Sequence, residues 1–296
     1  MNILISGGSG FLGKALTQSF LSDGHSVYIL TRSGEVPGGA QPIEWDAKTT
    51  RGWGERIHEM DVVVHLAGKS LSSFPWTAKT KQAFYDSRVQ SGKALAEAFT
   101  QAKRKPRVFV QASGINYYGT SGETADELTP PSDDFLARLT LAWEAATDSV
   151  QTDSTRRIIL RTSVVLGAQG GILPLMALPA RLLMGGPIGN GKFAVPWIHL
   201  RDWVGAARFL IENESAGGAY NLVSPQQTSN AEFNRALAAA LHRPYWLPTP
   251  AFLLRALLGE MSVLITAGRF ARPKRLLDAG YHFQFEDARA AFADLL

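Results

Sequence analysis

One turn near the start constrains this chain more than any other feature. Residues 2–6 (Asn-Ile-Leu-Ile-Ser) read as a short apolar strand. Phe11–Ser22 reads as an amphipathic helix, with Phe11, Leu12, Ala15, Leu16 and Phe20 on one stripe. Between them stands Ser-Gly-Gly-Ser-Gly-Phe-Leu-Gly, with glycines at 7, 10 and 13. A glycine pattern alone carries little weight. Here it closes a strand, opens a helix and begins a β-α-β unit, which is the context that gives it meaning. The first glycine permits a tight turn, the second lets the backbone approach a pyrophosphate, and the third allows close helix–strand packing. The helix start then presents free N–H groups to an anion. The expected contacts are Gly7, Ser9, Gly10, Phe11, Leu12 and Gly13; the alternative is a plain strand–helix turn.

Strand and helix patterns go on alternating. Strands are expected at Ser26–Leu30, Ile43–Trp45, Asp61–Leu66, Val108–Ala112 and Arg157–Arg161, and helices at Ala78–Ala102 and Asp133–Val150. Such alternation predicts an α/β fold, a Rossmann doubly wound parallel sheet with helices on both faces. After about Val165 the text changes. Glycine turns at 167–171 and 185–191 and four prolines interrupt it, strands return at Trp197–Leu200 and Ala219–Val223, and residues from Asn230 onward are mostly helical. The expected division is a dinucleotide-binding Rossmann domain over residues 1–225, with 166–195 contributing to a substrate lobe, and a smaller, mostly helical C-terminal cap over 226–296.

The end of the second strand discriminates between cofactors. An Asp or Glu there would bind the ribose hydroxyls of NAD(H). This chain has Thr31, Arg32 and Ser33, and a guanidinium between two hydroxyls suits a 2′-phosphate. NADP(H) is therefore expected over NAD(H). Asp46, after the third strand, either meets the adenine ring or caps a turn. Leu66, Ala67 and Gly68 are small or apolar residues that let backbone lie beside the cofactor, and His65 reads as a packed strand residue.

Composition narrows the class further. The 296 residues are 45% hydrophobic and 19% charged, which suits a chain able to bury a real core. No cysteine is present, so disulfides, thiolate metal sites and a cysteine nucleophile are excluded. No metal site is expected. The most apolar stretches, Ile172–Met184 and Ala251–Leu258, are interrupted by Arg or Pro and fall short of the roughly 20 residues of a span. With no leader pattern at Met1, a cytoplasmic protein without a membrane partner is expected. The net charge is +4. Basic clusters at Lys103–Arg107 and Arg269–Arg275 read as solvated surface, and no nucleic-acid module accompanies them.

Several segments together resemble a known family. The opening Gly-x-x-Gly-x-x-Gly, the His65-Leu-Ala-Gly68 strand end and Trp197-Ile-His-Leu-x-Asp202 are similar to extended short-chain dehydrogenases/reductases of the NAD(P)-dependent epimerase/dehydratase type. A narrower set runs in order through the chain: Trp76-Thr, Asp86-Ser-Arg-Val, Tyr117-Tyr-Gly, Asp134-Phe-Leu-Ala, Trp143-Glu, Gly170-Gly, Trp197-Ile-His and Arg272-Pro-Lys-Arg-Leu-Leu-x-Ala-Gly-Tyr281. It resembles the atypical "epimerase family" subgroup that carries a conserved C-terminal domain of unassigned function. The resemblance covers essentially the whole chain. It implies a Rossmann core, NADP(H) binding and a small-molecule substrate, with nucleotide sugars or other carbonyl or alcohol compounds as the family-level default.

The chain departs from the broad family where the chemistry would be. Catalytic members use a Ser and a Tyr-x-x-x-Lys pair, in which the lysine charge lowers the tyrosine pKa. None of the seven tyrosines here has a lysine four residues later. Spacing to Trp143-Glu144 places Leu136 and Thr140 where that pair would stand. The serine persists as Ser113, with a one-residue insertion suggested just after it, and Tyr117 or Tyr118 are the candidate acids. Lys69, Arg88, Lys192 and His199 could add charge. Against this, Lys69 and Lys192 suit a solvated surface, and Arg88 suits pairing with Asp86 or another carboxylate if it does not bind cofactor. His199 and Asp202 suit the start of the following helix, with Asp202 capping it. Trp76 and Trp197 either wall a pocket or fill the core. Two functions stay open: an oxidoreductase or epimerase with a variant proton relay, and a non-catalytic NADPH-binding sensor or regulator. The long helices after the fourth and fifth strands could pair two subunits, though nothing in their pattern requires a homodimer.

Overall fold

The computed structural model describes residues 1–296. Its strands are β1 (Asn2–Ser6), β2 (Ser26–Thr31), β3 (Gln41–Glu44), β4 (Val62–His65), β5 (Val108–Gly114), β6 (Arg156–Thr162), β7 (Val164–Leu166), β8 (Trp197–His199) and β9 (Gly218–Leu222). The helices are α1 (Phe11–Ser22), α2 (Ala78–Gln101), α3 (Phe135–Ala145), α4 (Leu173–Arg181), α5 (Leu200–Glu212), α6 (Asn230–Ala240), α7 (Ala251–Leu258), α8 (Val263–Thr266), α9 (Lys274–Asp278) and α10 (Ala288–Leu295). Seven strands form one parallel sheet in the order β3-β2-β1-β4-β5-β6-β9. The strand order reverses between β1 and β4, and the crevice outside their carboxyl ends is where ligands bind in such sheets.

Strand periodicity explains the layering. Ile3, Ile5, Val62 and Val64 face one side and pack with Leu16 and Phe20 of α1 and Trp203 and Leu210 of α5. Leu4 and Val63 face the other side and pack with Leu95 and Phe99 of α2 and with Trp53 and Ile57. A third core holds the smaller lobe. There β7 pairs with β8, a two-stranded sheet that residue pattern did not reveal, and Leu166 and Trp197 pack with Phe233 of α6 and Phe292 of α10. The helix expected over Asp133–Val150 ends at Ala145 and resumes as a 3-10 turn at Asp148–Val150. There the Thr147 N–H bonds the Glu144 carbonyl at 3.3 Å, a 3-10 pattern, and the Thr147 hydroxyl donates to Gln111.

The C-terminal segment is strapped to the core by polar groups. Arg275 stacks over the Tyr220 ring at 4.3 Å and donates to the carbonyls of Ala219 and Gly217 at 2.7 and 2.8 Å. Arg269 donates to the carbonyls of Glu123 and Tyr118 at 2.7 and 2.9 Å. This basic cluster is thus partly spent on structure and is not simply solvated.

Asp202 also has a different task from the expected helix cap. The cap of α5 is His199, whose Nδ1 accepts from the Arg201 N–H at 3.0 Å. Asp202 is fully buried and accepts from the Gln284 and Phe285 N–H groups at 2.7 and 2.9 Å and from the Tyr281 hydroxyl at 3.3 Å. Burial, opposed by those hydrogen bonds, holds its pKa above the usual carboxylate value. Removing the acceptor leaves the part-buried N–H groups of Gln284 and Phe285 and the buried Tyr281 hydroxyl short of a partner, at about 1 kcal/mol each. Asp202→Ala is therefore expected to lose about 3 kcal/mol in urea unfolding. A loss below about 1 kcal/mol would show that the segment 281–285 is not held this way.

Candidate functional site

The glycine turn forms a cradle that only glycine can line. Gly7 has φ +76°, and a Cβ there would lie 2.8 Å from the Leu66 carbonyl carbon and 2.9 Å from the Ala67 nitrogen. A Cβ on Gly13 would collide with the Gly7 carbonyl oxygen and the Gly8 Cα. The turn closes through Gly10 N–H donating to Gly7 O at 3.0 Å, and α1 propagates from Lys14 N–H to Gly10 O at 2.8 Å. Gly10 is the N-cap and supplies no side chain, so the first-turn N–H groups of α1 are left for a ligand beside the exposed Ser9. Phe11 points from this turn into a second glycine loop. A Cβ on Gly167, Gly170 or Gly171 would come within 2.7–2.9 Å of its ring. Leu12 packs against the sheet core.

The neighbouring strand end is built for a different charge. Ser6 of β1 is in register with Leu30 of β2, so Arg32 emerges beside the cradle. Arg32 is exposed and has no hydrogen bond or ion pair within the chain. Thr31 accepts from the Ser33 N–H at 3.3 Å and its hydroxyl meets that of Ser33 at 3.4 Å, a local turn that frees the arginine. Asp46 is exposed and caps its own turn, accepting from Lys48 N–H, Thr49 N–H and the Thr49 hydroxyl at 2.7–2.8 Å. These bonds hold its pKa below the usual value. Of the two readings, the structure shows the cap.

At the end of β4, His65 is packed as expected. Its Nε2 lies 3.4 Å from the Trp143 indole N–H, which can only donate, so Nδ1 carries the proton and donates to the Ser6 hydroxyl at 2.7 Å. Burial, and then the Arg88 charge, push its pKa down to about 3. Arg88 pairs with no carboxylate, contrary to the sequence expectation. Gln82 takes the Asp86 carboxylate instead, and Arg88 donates to the carbonyls of Lys69 and Phe84 at 3.0 and 3.2 Å. Its guanidinium lies 4.8 Å from the Trp143 ring centre and against Gly68, where a Cβ would meet it at 3.3 Å. Burial lowers its pKa to about 10. A nearly buried cation without a counter-ion thus borders the backbone of Leu66, Ala67 and Gly68.

Beyond β5 lies a polar network whose centre the sequence reading missed. Glu144 of α3 receives two bonds from Arg161 of β6, both at 3.0 Å, and one from the Ser113 hydroxyl at 2.6 Å. Arg161 also donates to the Tyr118 hydroxyl at 3.0 Å, and Tyr118 donates to Asn221 at 2.8 Å. Burial raises the Tyr118 pKa to about 12. Tyr118 is therefore a core residue with both hydrogen-bonding roles filled, and not an available acid. Tyr117 is half-buried, stacks on Arg161 at 3.4 Å, and its hydroxyl has no partner in the chain. Leu136 and Thr140 are buried on α3, and the Thr140 hydroxyl donates to the Leu136 carbonyl at 2.8 Å. The missed signal was spacing. Residues 136, 140 and 144 fall on one helix face, and Arg157 and Arg161 on one face of a buried strand.

The remaining candidates lie outside this centre. Lys69 and Lys192 are exposed. His199 is buried against Phe285 at 3.8 Å, and burial lowers its pKa although Asp294 stands 3.3 Å away. Trp197 fills the lobe core, while Trp76 is half-buried and packs edge-on to Phe84 and Phe135.

Comparison with known proteins matches this architecture. Residues 3–223 fit the sequence profile of the NAD dependent epimerase/dehydratase family, and residues 249–295 that of a domain of unknown function (DUF1731). The chain is 38% identical to the epimerase family protein SDR39U1 of Bos taurus, with 100% of both chains covered. It is 36% identical to the epimerase family protein YfhF of Bacillus subtilis, covering 100% of this chain and 98% of that one. The crystal structure of human epimerase family protein SDR39U1 (isoform 2) with NADPH superposes with a TM-score of 0.89 at 32% identity, covering 100% and 99%. The Thermus thermophilus UDP-glucose 4-epimerase complex with NAD superposes with a TM-score of 0.77 at 20% identity, covering 99% and 98%, a likeness of fold alone.

His65 makes the site sensitive to acid. Its folded pKa of about 3 lies below the ordinary 6.5, so the unfolded chain binds the proton first. The stability that His65 contributes is present above about pH 6.5 and is lost as pH falls toward 3, at up to about 1.4 kcal/mol per unit. His65→Gln is expected to flatten the fall in urea-unfolding free energy between about pH 6 and pH 4. An unchanged slope would mean that other groups carry it.

Proposed function

The chain belongs to the NAD dependent epimerase/dehydratase family, and on that premise we propose that it is an NADP(H)-binding oxidoreductase or epimerase with a variant proton relay. The carrying observation is a juxtaposition: a glycine cradle and an uncapped helix stand beside an unpartnered Arg32 at the next strand end. The pyrophosphate would lie on the first-turn N–H groups of α1 after Gly7, Gly10 and Gly13. Arg32, with Thr31 and Ser33, would take the 2′-phosphate. The backbone of Leu66–Gly68 would flank the cofactor, and Arg88 would give its unneutralised charge to the same site. The human relative solved with NADPH supports this choice. When bound, the nicotinamide supplies hydride transfer.

The residues after β5 would handle the proton. Ser113 gives its own hydrogen to Glu144 and keeps only acceptor capacity toward a substrate hydroxyl. The Tyr117 phenol has no partner in the chain, and the Arg161 stack fixes its ring. We assign Tyr117 as the proton donor and acceptor for a carbonyl or alcohol substrate, with Arg161 as a positioning residue. Nucleotide sugars enter by fold analogy only. A second reading, a binding protein without turnover, draws on the way Ser113, Tyr118 and Thr140 are tied into the fold.

Two measurements test these assignments. In thermal unfolding, a hundredfold excess of NADPH over its Kd is expected to stabilise the protein by about 2.7 kcal/mol. Arg32→Ala should weaken NADPH binding about tenfold or more and leave NADH unchanged. Equal losses for both would refute the phosphate role. In a screen of carbonyl compounds for NADPH oxidation, Tyr117→Phe should reduce turnover about a hundredfold with NADPH affinity unchanged. Turnover that survives in Tyr117→Phe would remove Tyr117 from the relay, and no turnover with any compound would favour the binding protein.

A further inference from the structure

The smaller lobe exposes an apolar face that the fold does not cover. Of the 15 large apolar side chains that are exposed in the chain, ten fall in residues 175–184 and 246–257. The two segments are joined in space. Gly185 bridges to Tyr245 and Ile188 to Thr249, so residues 185–188 and 245–249 run side by side as a parallel ribbon. Trp246 N–H donates to Gly185 O at 2.9 Å, and its indole N–H to Leu183 O at 2.9 Å. The indole ring itself stands 65% exposed. Helix α4 enters this ribbon and α7 leaves it. No residue of α7 is buried, and Phe252 and Leu257 are 67% and 72% exposed. Exposed apolar faces of this extent mark binding surfaces.

Charge identifies what covers it. No Asp or Glu occurs from residue 167 to 201 or from 233 to 259. Arg181 at the end of α4, Arg243 before the ribbon and Arg255 on α7 are exposed and form no ion pair, with His242 exposed beside them. The other basic residues of these stretches are Arg235, stacked on Tyr245, Arg201, paired with Asp294, and Lys192, exposed in the loop that follows residues 185–188. Glu260, just past α7, pairs with Lys81, and Glu232 is held by the Ser229 cap. A second copy placed symmetrically would bring arginine against arginine. A nucleic acid would leave the apolar centre facing phosphates. An anionic bilayer surface satisfies both parts, taking the apolar helix face and an interfacial Trp into the headgroup boundary and the arginines onto its phosphates.

We propose that the face built from α4, the 185–188/245–249 ribbon and α7 docks peripherally on membranes rich in anionic phospholipid. This revises the expectation of no membrane partner. It requires no span, and no helix of the structure is long and apolar enough to cross a membrane.

The test is flotation of the full-length protein with vesicles of phosphatidylcholine alone or with added phosphatidylglycerol. Binding is expected to the anionic vesicles, to weaken with salt, and to be near background on phosphatidylcholine alone. Phe252→Glu with Leu257→Glu should abolish it without changing thermal unfolding, because both side chains are exposed. Arg243→Gln with Arg255→Gln should each lower partitioning about fivefold. Brominated lipid should quench fluorescence in the unmodified protein but not in Trp246→Phe, a readout that needs no charge variant. No flotation with anionic vesicles, or equal flotation of the Phe252→Glu/Leu257→Glu variant, would overturn the proposal. So would a dimer by light scattering that this variant dissociates, which would give the face to a second copy.

Discussion

The Glu144–Arg161 pair organises the centre of this molecule. A buried ion pair is costly unless its remaining hydrogen-bonding capacity is also filled. Here it is. The carboxylate takes both parallel bonds from the guanidinium and one from Ser113, and the guanidinium reaches on to Tyr118. Burial opposes the Arg161 charge, but Glu144, followed by Tyr118, holds its pKa above the ordinary arginine value. The bonds connect elements distant in sequence. Through Tyr118 and Asn221 they reach β9, and the Asn221 amide passes to the Arg272 carbonyl at 3.0 Å. The C-terminal strap, the last strand of the sheet and the helix beside the site therefore share one set of partners.

That network also accounts for the absence of the usual proton relay. On α3, the positions matching Tyr-x-x-x-Lys carry Leu136 and Thr140, and the next position on the same face is Glu144. A lysine at 140 would place a second cation within reach of the carboxylate that Arg161 already neutralises. The charges in this layer stand one helical turn along α3, at Glu144, and on β6, at Arg161. The consequence for Ser113 is direct. In this arrangement its hydrogen goes to a carboxylate, and on the proposed reading proton donation would fall to Tyr117, whose hydroxyl has no partner in the chain. Two adjacent tyrosines thus have opposite fates, one hydroxyl tied into the core and one without a partner, although their rings meet edge-on at 5.2 Å beside Arg161.

Legibility in the sequence followed the range of the forces involved. Strand β1 and helix α1 match their expected bounds to the residue, because glycine punctuation and a helical stripe are local signals. Parallel strands buried on both faces were equally plain, as in Val62–His65. The strand Val164–Leu166 was not, since three apolar residues become a strand only when paired with Trp197–His199. The family resemblance was readable from motifs spread along the chain. The meaning of single polar residues was harder. Arg88 is two residues from an Asp, yet its helix turns it toward backbone carbonyls and an indole. Asp202 sits in a helix's first turn, the favoured place for a carboxylate, and instead holds backbone from more than 80 residues later. Such partners are set by tertiary packing, which local spacing does not encode.

The site and the lobe are coupled by a short piece of chain. Arg161 ends the buried network, β6 stops at Thr162, and β7 begins at Val164 in the other sheet. The glycine loop that follows closes on Phe11, the first residue of the helix that would carry a pyrophosphate. Its three glycines have no Cβ to spare at those distances, so the loop and the Phe11 ring hold one relative position. Helix α4 starts directly after that loop and leads into the apolar ribbon. Through Phe11 and residues 167–171 the start of α1 and the start of α4 share one packed junction. The lobe is positioned by the same turn that first constrained the fold, and its outer face and the cradle are two ends of one packed structure.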